Sequence, residues 1–190
     1  MKEPSRRLFF ALWPTVKQQA SMAKATREVL QASGGRPVPE SNLHVTLAFL
    51  GSVPERRLGE LAAIAQRIAS SPGAGQPLHV WFARLEYWKR AQVLCAVPAA
   101  GAISHAAAEL AAALKIELVA AAFAPDLKPF RAHVTLARKV SRRSDWQHDL
   151  GADSVPWGFT GFSLMASRTD ASGALYSIVE SWLLAKPRSD

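Results

Sequence analysis

The chain has 190 residues, 49% hydrophobic and 20% charged, a balance that excludes a disordered tail protein or a coiled coil and suits one domain with a sizeable core. A net charge of +8 and a pI near 10.2 fit a polyanionic partner, most simply nucleic acid, as well as a plainly solvated basic surface. No apolar run reaches the roughly 18–20 residues that span a bilayer. The apolar start ends at Pro14 without a cleavage site, and Cys95 is the only cysteine, so a cytoplasmic monomer with no membrane contact, disulfide or cysteine zinc cage is expected.

Leu8 to Trp13 reads as a buried strand stopped by Pro14. Thr15 caps a helix reaching about Ala32, carried by Val16, Ala20, Ala23, Val29 and Leu30 and closed by Gly34 and Gly35. Pro37 and Pro39 mark a short loop before a strand from Leu43 to Leu50, which Gly51 ends. A second helix runs from about Pro54 to Ala69 and stops before a Ser/Pro/Gly loop at 70–77. Strands from Leu78 to Leu85 and Gln92 to Val97 make a hairpin about Lys89 and Arg90, and a third helix covers Ala102 to Leu118. A loop with Pro125 and Pro129 leads to a strand from about His133 to Val140. Two last strands, Phe159 to Ser167 and Leu175 to Leu184, flank a turn at 170–173. Helices lying on antiparallel or mixed sheets, an α+β arrangement, are the simplest packing of this series.

The pentapeptide His44-Val45-Thr46-Leu47-Ala48 recurs letter for letter as His133-Val134-Thr135-Leu136-Ala137, at an offset of 89 residues. Each copy follows a predicted helix and a Pro-containing loop, which points to internal duplication. On a strand, residues i and i+2 share a face. His44 and Thr46 therefore point together, away from Val45, Leu47 and Phe49, and His133 and Thr135 point away from Val134 and Leu136. Two lobes related by a pseudo-twofold axis bring two imidazoles and two hydroxyls into one volume. An unperturbed imidazole titrates near ~6.5, so one can accept a proton while the other gives one. The hydroxyls can donate to oxygens of a transferred phosphoryl group. That set suits opening of a strained cyclic phosphate by in-line attack of water. A zinc site lacks a third ligand nearby, so no metal and no cofactor are expected. His79, His105 and His148 lack the motif and read as ordinary surface or strand residues, and Cys95 reads as core. Trp88 and Phe130 flank the motif segments, where either can stack on a base.

At these residues the chain resembles the two-histidine (2H) phosphoesterase superfamily, with its paired H-x-[ST]-x motifs. Within it the chain is most similar to the bacterial and archaeal RNA 2',3'-cyclic phosphodiesterases, also called LigT-like 2'-5' RNA ligases. RLFFALWP at 7–14, GRPVPESNLHVTLAFLG at 35–51, PFRAHVTLAR at 129–138 and YSIVESWLL at 176–184 carry the resemblance along nearly the whole chain. It implies one duplicated, bilobal α+β domain over residues 1–190, with two antiparallel or mixed sheets flanked by helices around a central cleft. It also implies His44 as the acid protonating the leaving 3'-oxygen and His133 as the base activating water, leaving a 2'-phosphate. Thr46 and Thr135 would hold the nonbridging oxygens, and the substrate would be RNA ending in a 2',3'-cyclic phosphate, tRNA fragments included, with 2'-5' ligation as the reverse chemistry. Ala132 stands where the family usually has Pro. Arg138 matches the family's arginine after the second motif, yet strict alternation turns it away from His133 and Thr135 unless a bulge rotates it. Two rival readings are a phosphodiesterase for small cyclic nucleotides or 2'-5' oligoadenylate, and a noncatalytic RNA-binding module.

Overall fold

The computed structural model describes residues 3–71, 75, 78–99, 105–140, 147–170 and 173–184. The loop at 70–77, the start of the third expected helix at 102–104 and the centre of the turn at 170–173 lie largely or wholly outside these. Strand β1 (Ser5–Leu12) leads into helix α1 (Val16–Ser33) through a capping box. The Thr15 hydroxyl accepts from the Gln18 amide and the Gln18 side chain accepts from the Thr15 amide, so two otherwise orphaned donors are satisfied. Gly34, at φ 62°, closes the helix in the left-handed conformation that glycine adopts without strain. Then come β2 (Arg36–Pro37), β3 (Val45–Pro54), α2 (Leu58–Ala69), the hairpin β4 (Leu78–Trp88) and β5 (Val93–Pro98), α3 (His105–Ala120) and β6 (Val134–Arg138). The chain ends in β7 (Gln147–Asp149), β8 (Val155–Phe159), β9 (Gly161–Asp170) and β10 (Gly173–Leu183).

These ten strands form one sheet in the order β10-β9-β1-β3-β6-β5-β4-β7, with β2 on β6 and β8 on β4. Every pairing is antiparallel. Of the expected two sheets, antiparallel or mixed, the antiparallel alternative agrees with the pairing and the number is corrected: the two halves are hydrogen-bonded into one. The motif strands β3 and β6 meet through a single residue pair, Val45 with Val134. Those two valines are equivalent positions of the repeat, so a pseudo-twofold axis passes between them. Outward from it, β1, β9 and β10 mirror β5, β4 and the pair β7 and β8. The loops before the motifs obey the same symmetry. The Val38 amide donates to the Leu136 carbonyl at 2.8 Å, and the Asp126 amide donates to the Phe49 carbonyl at 3.0 Å. Each loop thus occupies the inner edge of the opposite motif strand, which explains why β3 and β6 do not pair further.

All three helices cover one face of the sheet. Met22, Leu61, Ile64, Leu110 and Leu114 from the helices join Phe10, Val45, Leu47, Val134 and Leu136 in one core. At roughly 1.5–3 kcal/mol per fully buried large apolar side chain, that face dominates the stability. Among the described residues, the opposite face holds two small buried apolar groups, one around Phe9, Ala11 and Met165, the other around Val93, Cys95 and Val97.

Three sequence-based expectations change. Strand β3 does not stop at Gly51 but runs to Pro54, with Gly51 at φ 71° taking up a bulge opposite Leu8. The second helix begins at Leu58, after a single 3-10 turn over Glu55–Arg57. Three strands, β2, β7 and β8, were not anticipated. In β8 the alternation is plain, since Val155, Trp157 and Phe159 are buried between exposed Pro156 and Gly158, but the proline reads locally as a loop. Pro156 is tolerated because β8 lies outside β4 as an edge strand.

Candidate active site

Because Val45 and Val134 point into the helix-covered core, His44, Thr46, His133 and Thr135 face the open side of the sheet. Two motif histidines thereby flank one valine pair, and a repeat 89 residues apart becomes a single constellation. Both imidazoles are held by the same local device. His44 Nδ1 bonds the Asn42 carbonyl at 2.6 Å, and His133 Nδ1 bonds the Arg131 carbonyl at 2.7 Å. A carbonyl only accepts, so Nδ1 carries the proton in each ring and Nε2 is left as the reactive nitrogen. The Asn42 side chain is itself tied to the Ala174 carbonyl at 2.8 Å, which anchors the first device to β10. Thr46 Oγ1 lies 3.1 Å from His44 Nε2, so with a neutral ring the hydroxyl donates to the imidazole. Thr135 is paired across the strands with Cys95.

Arg138 is brought to this face by a bulge. Leu94 pairs with Ala137 and Cys95 with Thr135, so Leu136 is an extra residue and the alternation of β6 shifts by one. Leu136 and Ala137 are both buried, and exposed Arg138 falls on the side of Thr135. Strand β3 repeats this at the equivalent place. Phe10 pairs with Ala48 and Ala11 with Thr46, so Leu47 is extra and Phe49 turns to the open face. The expectation that Phe49 points with Val45 and Leu47 is corrected accordingly. Phe49 packs with the Phe9, Ala11 and Met165 group rather than with the core.

The surroundings of the two histidines differ. His44 lies within a wall of rings: Trp13 stacked at 5.3 Å and 16°, Phe9 at 5.1 Å and Tyr176 at 5.2 Å. This desolvation pushes its pKa down to about 4; the Asn42 carbonyl opposes the shift, and the charges of His133 and Arg138 add to it. His133 is also lowered, first by burial and then by the positive charges of Arg131 and Arg138. Its wall is Trp88, at 4.5 Å, with the Arg131 guanidinium 5.0 Å from the same indole. Glu86 holds that pair. It accepts from Trp88 Nε1 at 3.1 Å, from Arg84 at 2.7 Å and from Arg131. Cys95, buried below Thr135, is pushed up to about 12 and stays a thiol.

Trp88 was legible as a flanking aromatic, whereas Phe130 packs against the main core. His79 and His148 are exposed on β4 and β7, and His105 opens α3, so none reaches the site. Sequence reasoning missed Phe9, Trp13, Tyr176, Glu86 and Arg131, which β1, β10, β4 and the loops bring in from positions without a motif. Among the described residues, no three His, Cys, Asp or Glu side chains gather as a metal site requires. No helix is long and apolar enough to cross a membrane.

The model of the family described as LigT like Phosphoesterase matches residues 13–93. An RNA 2',3'-cyclic phosphodiesterase of Escherichia coli (strain K12) is 31% identical over 200 residues, covering 98% of this chain and 100% of its own. One of Thermus thermophilus is 29% identical over 193 residues, covering 94% and 90% respectively. Among solved structures, Escherichia coli LigT complexed with 3'-AMP aligns with a TM-score of 0.82 at 25% identity, over 96% of this chain and 100% of that one.

Proposed function

Because the chain belongs to the LigT-like phosphoesterase family, we propose that it hydrolyses RNA 2',3'-cyclic phosphate ends by acid–base catalysis between His44 and His133. The observation that carries the reading is the pair of imidazoles across Val45 and Val134, each with Nδ1 tied to a carbonyl and Nε2 left to react. His133 Nε2 takes a proton from water as its oxygen attacks phosphorus, and His44 Nε2–H gives one to the departing 3'-oxygen as the P–O bond breaks. The product is a 2'-phosphomonoester. Thr46, Thr135 and Arg138 hold the nonbridging oxygens, where negative charge grows.

Burial makes the neutral ring the resting form of His44, so an acid role requires the substrate's negative charge beside it. Protonation also reverses the bond with Thr46. A charged His44 no longer accepts at Nε2, and the Thr46 hydroxyl is released to donate to phosphate. We propose one duplicated domain, acting as a monomer in the cytoplasm on RNA such as tRNA fragments, without metal or cofactor; 2'-5' ligation is the same chemistry with a ribose hydroxyl. The free, buried Cys95 accords with a reducing compartment. A mononucleotide-sized substrate is the second reading, favoured by the 3'-AMP complex of Escherichia coli LigT.

The test is incubation, with EDTA present, of an RNA oligonucleotide ending in a 2',3'-cyclic phosphate, with products resolved by the position of the terminal phosphate. Conversion to a 2'-phosphate is expected. Turnover only after a divalent ion is restored would overturn the metal-free assignment, and no turnover under either condition would leave the binding-module reading.

A further inference from the structure

The pseudo-twofold axis makes a demand that one half of the site meets in an unexpected way. Arg138 and Phe49 are equivalent positions, both swung to the open face by matching bulges at Leu136 and Leu47. The second half thus has a cation where the first has a ring. Yet a cation is present there too. Arg7, on β1, lies over the Phe49 ring with its guanidinium carbon 4.8 Å from the centroid. Strand alternation puts Arg7 on the open face with Phe9 and Ala11.

Among the described residues, several other arginines are neutralised by carboxylates, whereas Arg27, Arg90 and Arg168, like Arg7 and Arg138, are not; of these five, Arg7 and Arg138 are the two on the open face beside the motif strands. Arg6, on the opposite face, bonds Glu55; Arg57 bonds Glu60; Arg67 bonds Glu117; Arg84 and Arg131 bond Glu86. Among the described residues no carboxylate pairs with Arg7 or Arg138. An exposed guanidinium held over a ring, unneutralised and on the open face, is free to meet an anion, and its forked donors suit phosphate oxygens. The groove lined in part by Trp13, about 310 Å³, has no charged side chain in its lining, so it offers phosphate no counter-charge.

We propose that Arg7 on its Phe49 platform is a second phosphate-binding position, which takes a phosphodiester of the RNA chain adjoining the cyclic end. This rests on the RNA-end reading above and deepens it. From Ala11, opposite Thr46, to Arg7 is four residues of strand, about 13 Å before side-chain reach is counted. The phosphate at the histidines is the only one a cyclic mononucleotide has. Arg7 therefore distinguishes an RNA chain from a mononucleotide and leaves the chemical step to the histidines.

The experiment compares cytidine 2',3'-cyclic phosphate with a short oligoribonucleotide bearing the same end, for wild type, Arg7→Gln, Arg7→Lys and Phe49→Leu. Arg7→Gln is expected to raise KM for the oligonucleotide about tenfold with kcat nearly unchanged, and to leave kcat/KM for the mononucleotide within about twofold. Arg7→Lys keeps the charge and loses part of the effect, as does Phe49→Leu. Binding of an oligonucleotide with a 3'-terminal phosphate, followed by fluorescence anisotropy, reads the same contact without turnover. Its salt slope is expected to fall by about 0.7 in Arg7→Gln, the share of one phosphate on a single strand. Equal losses on both substrates, or no loss of oligonucleotide binding, would overturn the assignment of Arg7. A wild type that binds the oligonucleotide through Arg7 but hydrolyses neither substrate would overturn the hydrolytic reading instead.

Discussion

The two histidines share a backbone device and differ in nearly everything that touches their rings. His44 is boxed by Phe9, Trp13 and Tyr176, neutral groups that lower its pKa by excluding water. His133 is faced by Trp88 and by Arg131, both fastened to Glu86, so a guanidinium is among its direct neighbours, although burial leads the shift in both rings and nearby positive charge adds to it in both. Duplication accounts for what is common, the carbonyl two residues back that fixes the tautomer. The neighbouring strands account for the rest. One duplicated motif can thus present two chemically unlike imidazoles, which acid–base catalysis requires and identical halves would not provide.

The largest expected effect treats the two as a unit. His44→Ala and His133→Ala should each lower kcat by a factor of roughly 10³ or more, and the double variant should be little worse than either alone, because residues acting in one step are not additive. Single-turnover rates on the cyclic-ended oligonucleotide check this. A variant that retains a tenth of the activity would break the symmetry of roles.

A smaller effect belongs to the second half alone. Glu86→Ala removes the acceptor shared by Trp88, Arg84 and Arg131, and should cost about 1–3 kcal/mol of stability and lower kcat roughly tenfold. Glu86→Gln keeps an acceptor oxygen and should recover part of the rate. The positioning role is read in the pH profile of kcat/KM, whose limb due to His133 should move when Arg131 is released. A loss of stability with an unmoved profile would reduce Glu86 to a packing residue.

The subtlest prediction sets the two rings against each other by titration. The unfolded imidazoles take protons below about pH 6.5, whereas folded His44 does so only near 4. The unfolded state therefore binds more protons in that window. Stability is complete above pH 6.5 and is lost as pH falls toward 4, by about 3 kcal/mol at most from His44. Denaturation midpoints from pH 7 to 4 should flatten more in His44→Gln than in His133→Gln. The reverse order would show that the charged half carries the larger shift.

Much of this was legible before any coordinates. The repeated pentapeptide identified His44, Thr46, His133 and Thr135, and period-two alternation assigned them to one face, because both signals are local. The cap at Thr15 and the stop at Gly34 were likewise legible in neighbouring residues, whereas the reciprocal bond from Gln18 that completes the capping box was not read. Strand β8 was not, since Pro156 is acceptable only once β4 makes it an edge. Nor were the faces of Phe49 and Arg138. A bulge is a relation between two strands, one residue opposite two, and it appears only when the partner is known.

What the sequence determined alone was the pair of motifs, the α+β series and the chemistry of two imidazoles and two hydroxyls. The tertiary structure decided that the halves join in one sheet, with Val45 and Val134 pairing the motif strands, and that Arg138 and Phe49 turn to the open face. It also decided which distant rings and charges surround each histidine. The physical reason is one of range: side-chain period and capping act over a few residues of chain, whereas register, desolvation and the local electric field are set by segments far apart in sequence.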